Sequence, residues 1–165
     1  MKRWMVVLAA ATLAGCATMD KAMNVPDFQP GKSTAQDVAK EMGKPAMELR
    51  RTDGGTVEYF TTWPFGHATY AITLGADGVV RSVEQRLTQD NIESIKPGMK
   101  KQQVLDLLGP PRQENNEERQ KLIVMEYPWM QGNREARLHY VRLSYDNVVH
   151  DVFDIHDQVA QPENH

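Results

Sequence analysis

Cysteine is almost absent from this chain, with Cys16 the only one in 165 residues. A lone thiol excludes an intramolecular disulfide, so stability in an oxidising compartment must come from packing. Long apolar runs are missing too. The longest, Met5 to Leu13, falls far short of the roughly 20 residues that span a bilayer, but it has the length of a signal-peptide core behind the positive Lys2 and Arg3. Positive charge is not in excess: loss of Lys2 and Arg3 with a leader takes the formal charge from -3 to -5, which leaves no basic footprint for nucleic acid. Chemistry-bearing motifs are equally scarce. Ser82, Ser94 and Ser144 lie in no nucleophile elbow, no glycine-rich phosphate loop follows a strand, and Glu41, Glu48, Glu58 and Glu126 form no discernible pair. Nothing in the sequence marks an enzyme, and no cofactor is implied.

What is present begins with Leu13-Ala14-Gly15-Cys16, small residues leading into the thiol just after the apolar run. This resembles a bacterial lipobox. The resemblance implies cleavage before Cys16, acylation of its sulfur and of the new N-terminus, and a tether held by about 0.8 kcal/mol per buried CH₂. An ordinary cleaved signal peptide or a chance cysteine are the alternatives. Ala17 follows the cysteine, where the usual sorting pattern reserves Asp for inner-membrane retention, so the resemblance points to the outer membrane with the chain facing the periplasm.

Internal repetition sets the expected architecture. Pro30-Gly31 opens a segment closed by Gly43-Lys44-Pro45, and Pro97-Gly98 opens one closed by Gly109-Pro110-Pro111. Val57-Glu58-Tyr59 then answers Met125-Glu126-Tyr127, with Trp63 and Trp129 close behind, and Ala76-Asp77-Gly78-Val79-Val80 answers Tyr145-Asp146-Asn147-Val148-Val149. Each landmark has a physical role. Ser33 or Thr34 suits a helix cap, Ser33 with Gln36 having capping-box spacing, while Gly43 and Gly109 sit where a left-handed C-terminal residue is wanted. Val104, Leu105, Leu107 and Leu108 give one helix a broad apolar face, and Val38 and Met42 give the other a thinner one. Thr88 is placed to cap a further helix carrying Ile92 and Ile95, whereas Pro26 interrupts its counterpart near Val25 to Phe28. Asp77-Gly78 and Asp146-Asn147 read as type I′ hairpin turns, joining Tyr70–Leu74 to Val79–Leu87 and Leu138–Tyr145 to Val148–Ile155. An earlier strand in each unit covers 57–62 or 122–127.

The expected fold class is therefore α+β: two tandem helix-helix-three-strand units, each an antiparallel sheet backed by helices. The boundaries are a signal peptide over 1–15, a lipidated tether over 16–27, units over 28–87 and 88–156, and a polar tail over 157–165. The segment Ile95 to Pro111 resembles the opening of the SmpA/OmlA (BamE-like) outer-membrane lipoprotein domain. The doubled arrangement also resembles the fold of the β-lactamase inhibitory proteins. The first resemblance implies a protein-binding or scaffold module in envelope or outer-membrane protein assembly, with protein partners in the envelope and the membrane engaged through Cys16. The second implies the alternative, an inhibitor or regulator of a periplasmic enzyme.

Two residue groups are candidates for a site. The aromatics fall on strands or their loops, and because strand alternation sends only half of any run to the helices, Tyr59, Trp63, Tyr127 and Trp129 are the candidate partner-binding residues, against the reading that all of them are core. His150, Asp154 and His156 alternate along the last strand in a way that would suit metal ligation, but a polar strand face beside a tail gives the same letters, and no metal is assigned.

Overall fold

A computed structural model describes residues 25–132 and 135–157. Cys16, the leader and residues 158–165 lie outside the described part, as does most of the expected tether. Among the described residues no helix is long and apolar enough to cross a membrane.

The chain forms α1 (Ala35–Met42), β1 (Met47–Arg50), β2 (Thr56–Thr61), β3 (Thr69–Leu74), β4 (Val80–Gln85), α2 (Gln89–Ser94), α3 (Lys101–Leu108), β5 (Gln113–Glu117), β6 (Leu122–Gln131), β7 (Glu135–Ser144) and β8 (Val149–His156). The strands make two antiparallel sheets of four, in the orders β1-β2-β3-β4 and β5-β6-β7-β8. The α+β class is as expected. The strand count of each half is not, since each sheet has four strands rather than three; the first half holds one described helix, and the segment interrupted by Pro26 is irregular, as expected. The extra strands β1 and β5 lack a readable pattern. Met47–Arg50 is only four residues long, and Gln113–Glu117 reads Gln-Glu-Asn-Asn-Glu, an edge strand with no apolar alternation. Pro128 interrupts the pattern of β6 but not the strand, because β5 pairs only as far as Gln113 opposite Glu126, leaving that side of Pro128 without a ladder to complete.

The helix ends follow the chain's local chemistry. Thr34, not Ser33, caps α1: its backbone N–H donates to Asp37 Oδ2 at 2.8 Å and its Oγ1 accepts from the Asp37 N–H at 3.3 Å. Ser33 Oγ instead accepts from the Gln29 N–H at 2.9 Å. Thr88 caps α2 through the Asn91 N–H. Gly43 and Gly109 end α1 and α3 at φ 76° and 80°, but with ψ of -142° and -163°, a region essentially restricted to glycine rather than the left-handed helical one.

Both halves close in the same way. The Gly31 N–H donates to Val80 O and the Val80 N–H to Ser33 O; the Gly98 N–H donates to Val149 O and the Val149 N–H to Met99 O. These bonds pin the start of each helix to the start of the last strand. Above the first sheet, Val38 of α1 packs with Phe28, Phe60, Ile72, Leu74 and Val80. Above the second, Val104 and Leu108 of α3 and Ile92 and Ile95 of the α2 segment pack with Met125, Tyr127, Trp129, Val141, Leu143 and Val149. Full burial of Val38 and Val104 stabilises by about 1.5–3 kcal/mol each.

The ladders also correct the expected alignment of the halves. Tyr59 lies opposite Met47 and Ala71, while the residue in the same position of the second sheet, opposite Gln113 and Tyr140, is Glu126 rather than Tyr127. Phe60, not Tyr59, is the counterpart of Tyr127, and both face helices. The matching letters Glu-Tyr are thus one register step apart. Since side chains alternate with period two, that step puts the two tyrosines on opposite faces.

Candidate functional site

The sheet surfaces turned away from each half's own helices determine what the molecule can offer a partner. In the first sheet that face carries Val57, Tyr59 and Ala71, with Met47 and Leu49 packed beside them. It is partly roofed by the end of α3. Tyr59 Oη donates to Asp106 O at 3.1 Å, and Gly109 lies so close that a Cβ there would stand 2.7 Å from Tyr59 Cδ1 and Thr69 Cγ2. Burial pushes the Tyr59 hydroxyl pKa up.

Three of the four expected partner-binding residues therefore belong to the interior. Tyr59 is 2% exposed, Tyr127 0% and Trp129 3%. Tyr127 Oη donates to Gly109 O at 3.2 Å, and Trp129 Nε1 donates to Asp154 Oδ1 at 2.9 Å. Their polar tips find partners inside, as buried Tyr and Trp require. Trp63 is half-buried and packs against the core of the second half. As surface anchors Tyr59, Tyr127 and Trp129 are ruled out by burial.

The outer face of the second sheet is different. Tyr140 of β7 and Phe153 of β8 stand opposite each other and stack, ring centroids 5.1 Å apart and planes 15° from parallel. The Arg142 guanidinium lies 5.3 Å from the Phe153 ring centre, within cation–π range. These residues, with Val124, Asn115 and Glu117, line an open cleft of about 360 Å³. Period-two alternation brings Asp151 and Ile155 to the same face as Phe153, and Phe153 and Ile155 remain 41% and 44% exposed.

Charged groups hold this apolar patch in place. Arg142 grips Asp151 through both Nε and Nη2, which holds the Asp151 carboxyl below its usual pKa. Arg112 Nε and Tyr140 Oη both donate to the Glu126 carboxylate, each at 2.7 Å. Burial and that carboxylate push the Tyr140 pKa up to about 12, so the phenol stays a hydrogen-bond donor throughout the physiological range. Glu126 is thus an anchor for Tyr140. Glu58 faces Glu48 across the β1–β2 ladder and has no such role. The two glutamates that precede a tyrosine therefore have different cross-strand neighbours, Glu48 for Glu58 and Gln113 and Tyr140 for Glu126.

The residues considered for metal ligation disperse. His139 Nδ1 lies 3.2 Å from Asp154 Oδ1, His150 Nδ1 lies 3.3 Å from Asp151, and His156 Nδ1 lies 3.2 Å from Glu135. Among the described residues no group of three or more His, Cys, Asp or Glu is placed to hold a metal. Burial lowers the His139 pKa, opposed by Asp154.

Residues 85–124 match the family model of the outer membrane protein assembly factor BamE domain. That stretch runs from the end of β4 through α2, α3 and β5 into β6. A search of curated proteins finds no match. Among solved structures, the DUF4309 family protein YjgB from Bacillus subtilis aligns over 85% of this chain and 91% of its own, at 18% identity and a TM-score of 0.32. A Streptococcus mutans protein described as a beta-lactamase inhibitor aligns over 84% and 93%, at 13% identity and a TM-score of 0.34.

The aromatic face was only partly readable from sequence. Tyr140 belongs to the aromatic set from which the candidates were drawn, but Phe153 and Ile155 were read simply as strand. The available signal was the alternation Asp151, Phe153, Ile155, two large apolar residues on the face opposite the buried Val149 and half-buried Val152.

Proposed function

We propose that this chain is a periplasmic lipoprotein, anchored in the outer membrane through Cys16, that acts as a protein-binding module in outer-membrane protein assembly. One observation carries the reading: the outer face of the second sheet presents Phe153 and Ile155 to solvent beside the buttressed Tyr140. Aromatic and guanidinium groups in a shallow cleft are the composition favoured at protein interfaces, where a few aromatic anchors dominate the energy. The match of residues 85–124 to the assembly-factor domain supports the envelope setting, and the lipobox-like Leu13 to Cys16 supports the anchor.

Affinity recovery from detergent-solubilised envelopes tests the proposal. The full chain should bring down components of the barrel-assembly machinery, and Cys16→Ser should abolish palmitate labelling and release the protein from membranes. Recovery of a single soluble periplasmic enzyme instead would favour the inhibitor reading. Membrane association of the Cys16→Ser protein that persists at high salt would contradict the anchor.

A further inference from the structure

The same face of the first sheet carries different chemistry. A cleft of about 480 Å³ there is lined by Arg51, Arg81 and Arg86, with Thr73, Ser82 and Glu84 between them. Each guanidinium is steadied by one carboxylate: Arg51 Nε by Asp53 at 3.2 Å, Arg81 Nη2 by Asp77 at 2.7 Å, and Arg86 Nη1 by Glu84 at 2.9 Å. A guanidinium has five N–H donors, so these pairs orient the groups without exhausting them. Arg86 Nε is buried and has no acceptor among the described residues, a costly state for a charged donor.

The backbone also makes room for this arrangement. A Cβ on Gly75 would fall 2.6 Å from Arg81 Nη2 and 2.7 Å from its Nε, so only glycine lets that guanidinium lie against the turn. The second sheet lacks the equivalent charges. By the ladder registers, the positions of Arg51 and Arg86 are taken there by Glu117 and Ile155, and that of Glu84 by Phe153.

We propose that the cleft on the first sheet binds an oxyanion, a carboxylate or a phosphate group, through N–H donors of Arg51, Arg81 and Arg86. Planar, forked donors in a pre-oriented set suit both groups, and bonds to a charged acceptor are about twice as strong as neutral ones. The site lies on a different sheet from the aromatic face and does not depend on the protein-binding reading.

Titration of the full chain in detergent with sodium phosphate and with sodium succinate, followed by backbone amide NMR shifts, tests this against sodium chloride at equal ionic strength. Saturable shifts should centre on Ser82 and Arg86, and the tighter of the two probes identifies the preferred group. Arg81→Gln and Arg86→Gln should each weaken binding about tenfold, as the loss of a charge-assisted hydrogen bond predicts, while Arg119→Gln should leave it unchanged. Arg81 is half exposed, so its variant tests the site even where Arg86→Gln perturbs the contact with Tyr59. Phosphate and succinate shifts no different from those of chloride, or undiminished binding in Arg81→Gln, would overturn the proposal.

Discussion

At the scale of single residues, burial and pairing separate groups that look alike in the sequence. Tyr59 and Tyr127 are both interior, yet each spends its hydroxyl on a carbonyl of the same stretch at the end of α3, Asp106 and Gly109. Glu126 and Glu58 are both flanked by a tyrosine, yet Glu126 is met by Arg112 and Tyr140 while Glu58 faces Glu48 directly across the ladder. Burial and the Glu48 charge raise the Glu58 pKa. The native state therefore holds the Glu58 proton more tightly than the unfolded chain. Its contribution to stability is greatest at pH below the ordinary carboxylate value and falls as pH rises through the raised one. Glu58→Gln should stabilise the protein at neutral pH by roughly a few tenths of a kcal/mol, seen as a higher melting temperature, as expected for a relieved like-charge cross-strand pair, and should flatten the decline above about pH 4.5. Melts from pH 3 to 8 on the two proteins check this; identical curves would remove Glu58 from the account.

At the scale of elements, what could be read from the sequence is what local chemistry dictates. Thr88 with Ile92 and Ile95, the Val104 to Leu108 apolar face, and the Asp77-Gly78 and Asp146-Asn147 turns each carry their own cap, period or turn signal, and each forms near its expected place, although positive φ at Gly78 and Asn147 alone means that neither turn is type I′. β1 and β5 carry none, because an edge strand needs only one ladder and has little core to fill. The alignment of β2 with β6 failed for another reason: three similar letters outweighed a register that only the neighbouring strands define. The glycines that end α1 and α3 look equivalent in sequence but differ in their surroundings. A Cβ at Gly43 meets nothing within 4 Å, whereas one at Gly109 strikes Tyr59 and Thr69. Both substitutions to Ala pay for the positive φ, but Gly109→Ala should destabilise by about 1–3 kcal/mol more, the usual cost of overpacking. Urea unfolding of both variants measures the difference, and equal losses would show that α3 does not bear on the first sheet as described.

At the scale of the whole molecule, one four-stranded design is used twice with different outer faces. The first sheet is partly covered by the end of α3 and lines a cleft on that face with paired arginines; the second leaves Phe153 and Ile155 exposed beside the half-buried Tyr140. The aromatics expected on an uncovered sheet face were Tyr59, Trp63, Tyr127 and Trp129, and of these Tyr59, Tyr127 and Trp129 are buried. Trp and Tyr near strand ends were favoured for their type, whereas facing is set by register, and register placed Trp129 inward against Asp154. On the proposed reading, the Tyr140–Phe153 face meets a protein in the envelope. The most direct test is site-specific photocrosslinking in cells, with a photoreactive residue at position 153 or 155 and, as the comparison, at the exposed Lys40 of α1. Discrete protein adducts are expected from 153 and 155 and none from 40. Adducts from 40 alone, or none from 153 and 155 in a protein that is folded and membrane-anchored, would contradict it.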